Sequence, residues 1–382
     1  MFSKTERMIF LGNRNNKAII SKVSPHTIKK FELIEKYVEA WAQKLLNTSY
    51  CKNLVFIDCM CNSGQYYDDN NENVYGTPVR VSKILRDVAG QYRAKNIHLY
   101  FNDLSDEKIE HLRTLVNKDT NNFKIHLSVG DGNELLRKIG KNLPKLSNTH
   151  FLLIYDPYQA AIDWSAVLPF INNWGEVIIN HMVSDSVRAV RTAKTKAAIH
   201  KYEKTYLSNI EDLIPYGSDK DAYEKRIEEI IKGLRKCKSR KYFISAFPFF
   251  IRTNVIEYNL IHCTSHIEGF KLYKQIAWKT FEGKSSMKNT HILENQLTFD
   301  FDDVSICNVA VDEYCYNLHN VAEYIQKIFA GKQGVPLDEI WGVLDEHPIF
   351  PSDGFKKAIK EELKCYHGAI EKKGKINFTG RS

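Results

Sequence analysis

The chain has 382 residues, of which 43% are hydrophobic and 26% charged, with a formal net charge of +8. That length favours two domains, and the apolar share is ordinary for a soluble globular protein with a substantial core. No run approaches a membrane span, which needs about 18 apolar residues, and the eight cysteines form neither a CxxC pair nor a zinc-finger spacing. A reduced, cytoplasmic protein with mostly buried thiols follows, and the positive excess fits a polyanionic partner without requiring one.

Residues 1–24 are basic and read as an N-terminal extension, without the apolar run of a signal peptide. From Pro25 a helix is predicted, with Phe31, Ile34, Tyr37, Val38, Trp41 and Leu45 on one stripe. Leu54 to Ile57 form a short apolar run that reads as a buried parallel strand ending at Asp58. A helix follows near residue 77, with Thr77 as candidate N-cap and Pro78 at its first position. Strands and helices then alternate: NIHLYFND, LSDEKIEHLRTLVNK, FKIHLSVGD, NELLRKIGKNL, THFLLIYDPY, WSAVLPFINNW and GEVIINHM. This alternation implies βαβ units in a parallel sheet with helices on both faces, an α/β, Rossmann-like doubly wound fold, and the late strand pair that follows is typical of a class I methyltransferase sheet. About 184–240 reads as a lysine- and arginine-rich helical insertion, followed by a late strand pair, YFISAFPFFIR and IEYNLIHCTSH. The methyltransferase-like domain is placed at 25–283, a linker at 284–317 and a second domain at 318–382. Three short helices and a hairpin turning at Lys373-Gly374 give that last domain the pattern of a winged helix.

The chemistry is predicted at the strand ends. A cofactor such as S-adenosylmethionine needs a first loop of little bulk, so that backbone can approach it. Asp58, Cys59, Asn62 and Gly64 occupy that loop, which also reads as an ordinary turn. The second strand ends in Asp103, placed to hold ribose hydroxyls, or else to cap the next helix, a task that Asp106 suits better. Asp131 and Gly132 close the third strand, as an adenine contact or as a turn. The fourth ends in Asp156-Pro157-Tyr158, similar to a shortened Asn/Asp-Pro-Pro-Tyr motif of amino-group methyltransferases. In that motif the acid accepts hydrogen bonds from the target amine and the aromatic ring stacks on a flipped base. Lys194, Lys196, Lys201, Arg235, Lys238 and Arg240 concentrate charge near the mouth of the sheet. Lys356, Lys357 and Lys360 on the recognition helix, with Lys373 on the wing, form a second basic group. Both suit nucleic acid, and both also read as solvated helix faces. No metal site is predicted.

With KKFELIEKYVEAW, FIDCMCNSGQY, Gly76-Thr77-Pro78 and the Asp-Pro motif in place, the chain resembles the three-Cys-motif partner proteins over about residues 25–280. These are bacterial methyltransferase-like proteins, paired in genomes with a radical-enzyme-like protein that bears three cysteines. The resemblance implies S-adenosylmethionine binding, a role connected with nucleic acid, a C-terminal winged helix and a three-cysteine protein partner. Two functions follow as expectations: methyl transfer to an exocyclic base amine, or a non-catalytic module that binds nucleic acid or recruits a partner, as in phage defence. Cys59, Met60 and Cys61 stand where the family's loop carries two glycines and an aromatic residue.

Overall fold

In the computed structural model, the described residues are 19–116, 118–157, 161–171, 175–182, 195–206, 242–252, 255–286 and 316–380. The central feature is a seven-stranded sheet in a mixed α/β fold. Its strands are β2 (Asn53–Asp58), β5 (Asn96–Asp103), β6 (Phe123–Val129), β7 (Thr149–Tyr155), β8 (Gly175–Met182), β9 (Phe243–Arg252) and β10 (Val255–Thr264). They lie in the order β6-β5-β2-β7-β8-β10-β9. β2 pairs in parallel with both β5 and β7, and β5 with β6, whereas β9 and β10 form the expected antiparallel pair. The strand order reverses between β2 and β7, so the carboxyl ends of these neighbours flank a topological switch point, the place where open α/β sheets bind ligands.

The chain divides into two compact units, one of Met1–Tyr158 with Asp163–Ile178, the other of Gln159–Ile162 with Ile179–Ser382. The first contains a long helix, α1 (Pro25–Leu46), whose buried residues include Phe31, Ile34, Tyr37, Val38 and Trp41. The predicted stripe holds except at its end, where Leu46 is buried and Leu45 half-buried. Between Gly64 and the next helix the chain makes a hairpin absent from the sequence reading, β3 (Gln65–Tyr67) and β4 (Asn73–Tyr75). The end of the basic extension joins it, since β1 (Ser21–Lys22) pairs with β3. α2 (Thr77–Gln91) has Gly76 rather than Thr77 as its N-cap. α3 (Asp106–Leu115) is capped by Ser105, whose hydroxyl accepts from the Lys108 backbone N–H, not by Asp106. α4 (Gly132–Ile139) and α5 (Trp164–Ile171) complete the alternation.

In the second unit, α6 (Lys196–Tyr206) is the described part of the basic stretch, and α7 (Ile267–Thr280) follows β10. The C-terminal helices are α8 (Leu318–Phe329), α9 (Leu337–Glu346) and α10 (Lys356–His367). Beyond them β12 (Ile370–Lys372) and β13 (Lys375–Asn377) form the predicted hairpin, with β11 (Val335–Pro336) as a third strand. Lys373 and Gly374 both have positive φ, as a tight two-residue hairpin turn requires. α7 is tied to this part of the chain. The fully buried Lys274 donates to the carbonyls of Leu344 (2.8 Å), Asp345 (3.1 Å) and His347 (2.8 Å). It adds a donor to carbonyls at the end of α9, where the Leu344 carbonyl also accepts from the His347 N–H. Trp278 Nε1 donates to the Ile349 carbonyl at 2.9 Å. No disulfide forms among the described cysteines: Cys51, Cys59, Cys61 and Cys263 are buried and Cys365 is exposed. No described helix is long and apolar enough to cross a membrane.

Candidate functional site

Each acid sits where a strand stops. Leu54, Phe56 and Ile57 of β2 have no exposed surface, and the strand carries Asp58 into the interior with them. Its Oδ1 accepts from the Met60 backbone N–H at 3.3 Å. Burial pushes the carboxyl up to about 7, the Asp156 and Asp103 charges push in the same direction, and the Met60 N–H and Lys30 oppose them. The loop after Asp58 turns through Asn62 (φ +60°) and Gly64 (φ +75°), conformations that asparagine and glycine adopt most readily. A Cβ at Gly64 would come 2.6 Å from Leu112 Cδ1.

β5 ends in a pair with different tasks. Asn102 Nδ2 donates to the carbonyls of Cys59 (3.0 Å) and Gly130 (2.8 Å), its Oδ1 accepts from Ser128 Oγ, and its own carbonyl accepts from the Cys61 N–H. This side chain ties the ends of β2, β5 and β6 together. Asp103, 2% exposed, accepts from the backbone N–H of Asn62 on Oδ2 and of Ser105 on Oδ1, both at 3.0 Å. It organises the loop after β2 as well as the turn into α3.

Beyond β6, Asp131 is the N-cap of α4, its Oδ1 accepting from the Glu134 N–H at 2.9 Å. Gly132 lies against the first loop: a Cβ there would be 2.6 Å from the Cys59 carbonyl oxygen and 3.1 Å from the Met60 side chain. At the end of β7, Asp156 pairs through Oδ2 with Lys30 Nζ at 2.8 Å, and Pro157 is buried. Lys30 comes from α1 and its side chain is only 8% exposed. Tyr66, from β3, lies 5.3 Å from Phe31 between ring centroids. Burial, then the charges of Asp156 and Asp58, hold its hydroxyl far above its ordinary range.

Asp58, Asp103 and Asp156 therefore form one electrostatic group with Lys30 and Tyr66, all within the first unit. Asp131 acts on it at one remove, through the buried thiol of Cys59, which burial and then the charge of Asp58 push up, with Asp156 and Asp131 contributing less. Among the described residues no set of three metal-ligating side chains occurs. Lys30, Tyr66 and Asn102 were not anticipated. For Lys30 a signal exists, because it shares a helical stripe with Ile34, Tyr37 and Trp41, and a lysine in an apolar stripe asks for a buried partner.

Of the predicted nucleic-acid contacts, Lys196 and Lys357 are exposed and Lys373 is exposed at the hairpin turn. Lys356 pairs with Asp353 at 3.2 Å and Lys360 with Glu371 at 3.0 Å. Lys201 lies on α6. Tyr158, Lys194, Arg235, Lys238 and Arg240 lie outside the described residues.

No family model matches the chain, and no curated protein does. Among solved structures, it is similar to protein LPL1258 from Legionella pneumophila, of family DUF519, at 11% identity and TM-score 0.41, covering 68% of this chain and 92% of that one. It is also similar to human methyltransferase-like protein 13 in complex with SAH, at 10% identity and TM-score 0.33, covering 71% and 99%. A third is the SAH-bound methyltransferase PaMTH1 of Podospora anserina, at 10% identity and TM-score 0.27, covering 70% and 97%.

Proposed function

We propose that the chain is an S-adenosylmethionine-dependent, methyltransferase-like protein that acts on nucleic acid at an exocyclic base amine. The observation that carries this reading is the gathering of Asp58, Asp103 and Asp156 at the carboxyl ends of β2, β5 and β7, around the switch point. Crowded carboxylates suit a cationic ligand, and burial of Asp58 beside like charges is relieved when a positive group arrives. When bound, S-adenosylmethionine supplies an electrophilic methyl group on a sulfonium and carries an ammonium besides.

Asp58 would hold the cationic amino-acid end. Asp103 accepts from two backbone N–H groups, and a carboxylate has about four acceptor positions, so it can also take ribose hydroxyls. Cys59, Asn62 and Gly64 bring the loop backbone close, and Gly132 with Asp131 would flank the adenine. Leu104, 73% exposed directly after Asp103, offers an apolar surface to the same base. Asp156 and the Pro157 carbonyl would orient the acceptor amine and Tyr158 would stack on its base, so that rate enhancement comes from positioning. The C-terminal helices and hairpin, read as a winged helix with Lys357 and Lys373 outward, would bind phosphates. A three-cysteine protein partner in a bacterial defence system belongs to the same proposal.

Calorimetry of the full chain with S-adenosylmethionine tests it. Wild type should bind, and Asp103→Ala should weaken binding at least about tenfold through loss of hydrogen bonds to a charged acceptor. Absence of heat with wild type overturns the reading. A second reading, a non-catalytic module that binds nucleic acid or recruits a partner, is favoured by Met60, whose side chain lies against Gly132 where an adenine would approach. It predicts binding without transfer of labelled methyl to DNA or RNA.

A further inference from the structure

The acid cluster already contains one amine. Lys30 Nζ stands 2.8 Å from Asp156 Oδ2, on a side chain that is 8% exposed and is delivered by α1 rather than by the sheet. Extending a lysine into an apolar stripe costs desolvation and rotamer freedom. The adjoining residues Phe31, Leu33 and Ile34 are buried, so the helix cannot turn Lys30 outward without exposing them. The ammonium is thereby held at the carboxylate that, in the reading above, receives the acceptor amine.

We propose that Lys30 is the positioning residue of this site: its ammonium holds Asp156 in the place of the acceptor amine and balances the carboxylates until a substrate amine displaces it. The inference rests on the methyltransferase reading for the identity of the incoming amine, but not for the charge balance. Two consequences follow. A substrate must exchange one N–H donor for another at Asp156, whose side chain is already paired yet half-buried rather than sealed. Removing the positive charge leaves the remaining groups facing one another: Asp58, Asp103 and Asp156, with Tyr66, Cys59 and Cys61 beside them. Asp58 should then hold its proton to higher pH, because Lys30 is one of the groups that pull it down.

The test uses the full chain as wild type, Lys30→Arg, Lys30→Gln and Lys30→Met, each checked for fold by circular dichroism. Carboxyl carbon NMR follows the Asp58 titration without ligand. The midpoint should move up by about one pH unit in Lys30→Gln and Lys30→Met and stay near wild type in Lys30→Arg. Lys30→Gln keeps a donor toward Asp156 and serves if Lys30→Met fails to fold. An unmoved midpoint in a folded, uncharged variant overturns the proposal. Calorimetry with S-adenosylmethionine and with its product S-adenosylhomocysteine, which keeps the ammonium but lacks the sulfonium charge, gives the second readout. The preference for the sulfonium nucleoside over the thioether should rise about tenfold without the lysine. If wild type binds neither nucleoside while the midpoint still moves, the methyltransferase reading fails and the charge-balancing role stands. If wild type binds both and neither the preference nor the midpoint responds, the role of Lys30 fails and the cofactor reading stands.

Discussion

Among the described residues, two clusters of buried charge are treated in opposite ways. At Lys274 an ammonium meets three backbone carbonyls at ordinary hydrogen-bond distances, while the neighbouring Lys271 lies among Glu268, Asp345 and Asp353 at 3.4 Å from each. Donors and acceptors match there, and the work done is structural: a helix end is closed and α7 is fixed to it. At the switch point, carboxylates are set beside one another, and Asp58 is raised by its own kind as well as by burial. Burial lowers the Lys274 amine to about 7 as it raises the Asp58 carboxyl to about 7, but the charges of Asp345 and Asp353 support the ammonium, whereas those of Asp156 and Asp103 oppose the Asp58 carboxylate and Lys30 offsets them only in part. The contrast is what makes the second cluster, and not the first, the candidate functional site.

The sharpest way to break the comparison is the pH dependence of Asp58. Its carboxyl is raised to about 7 in the folded chain, while an unfolded chain releases that proton near 4. Between these values the folded state binds more protons than the unfolded state, so this group makes stability fall as pH rises through the window, and the loss is complete above it. The magnitude is on the order of 4 kcal/mol for a shift of that size. Asp58→Asn should remove this slope, gaining on wild type as pH rises from about 4 to 7 in urea unfolding. A stability difference that does not change with pH would show that the carboxylates are not crowded.

The matched cluster gives the next largest effect. Lys274→Met removes the donor and leaves buried carbonyls at the end of α9, which should cost about 3 kcal/mol, visible as a lower urea midpoint with no dependence on cofactor. Gly64→Ala returns to the first cluster. Its φ of +75° and a Cβ at 2.6 Å from Leu112 Cδ1 predict a loss of about 2 kcal/mol. Because the loop turns at Gly64, affinity for S-adenosylmethionine should fall with it. Undiminished affinity in that variant would separate the loop from the site.

Much of this arrangement was legible in the chain itself. Leu54 to Ile57 leading into Asp58 reads as a buried strand that delivers an acid, and Thr149 to Tyr155 leading to Asp156 repeats the pattern. The alternation that follows fixes a parallel sheet, and hence the neighbourhood of the strand ends. The illegible parts depend on contacts distant in sequence. Lys30 and Asp156 are 126 positions apart, and nothing local to either names the other. The hairpin that carries Tyr66 is only three residues a side, too short for alternation to register. Lys274 reads as one more solvated lysine on α7 until the end of α9 is brought to it.

Asp131 is where the two kinds of site meet in one residue, and it carries the smallest predicted effect. Its side chain caps α4 through the Glu134 N–H, a structural task, and it also stands beside Gly132 at the proposed adenine edge. Asparagine caps helices as well as aspartate does, whereas alanine does not. Asp131→Ala should therefore lose about 1 kcal/mol in urea unfolding while Asp131→Asn loses almost nothing. Calorimetry with S-adenosylmethionine then separates the two tasks. An acid that only caps the helix leaves affinity unchanged in Asp131→Asn. An acid that accepts from the adenine amino group loses a charge-assisted hydrogen bond there and weakens binding about tenfold, even though the helix beneath it is intact.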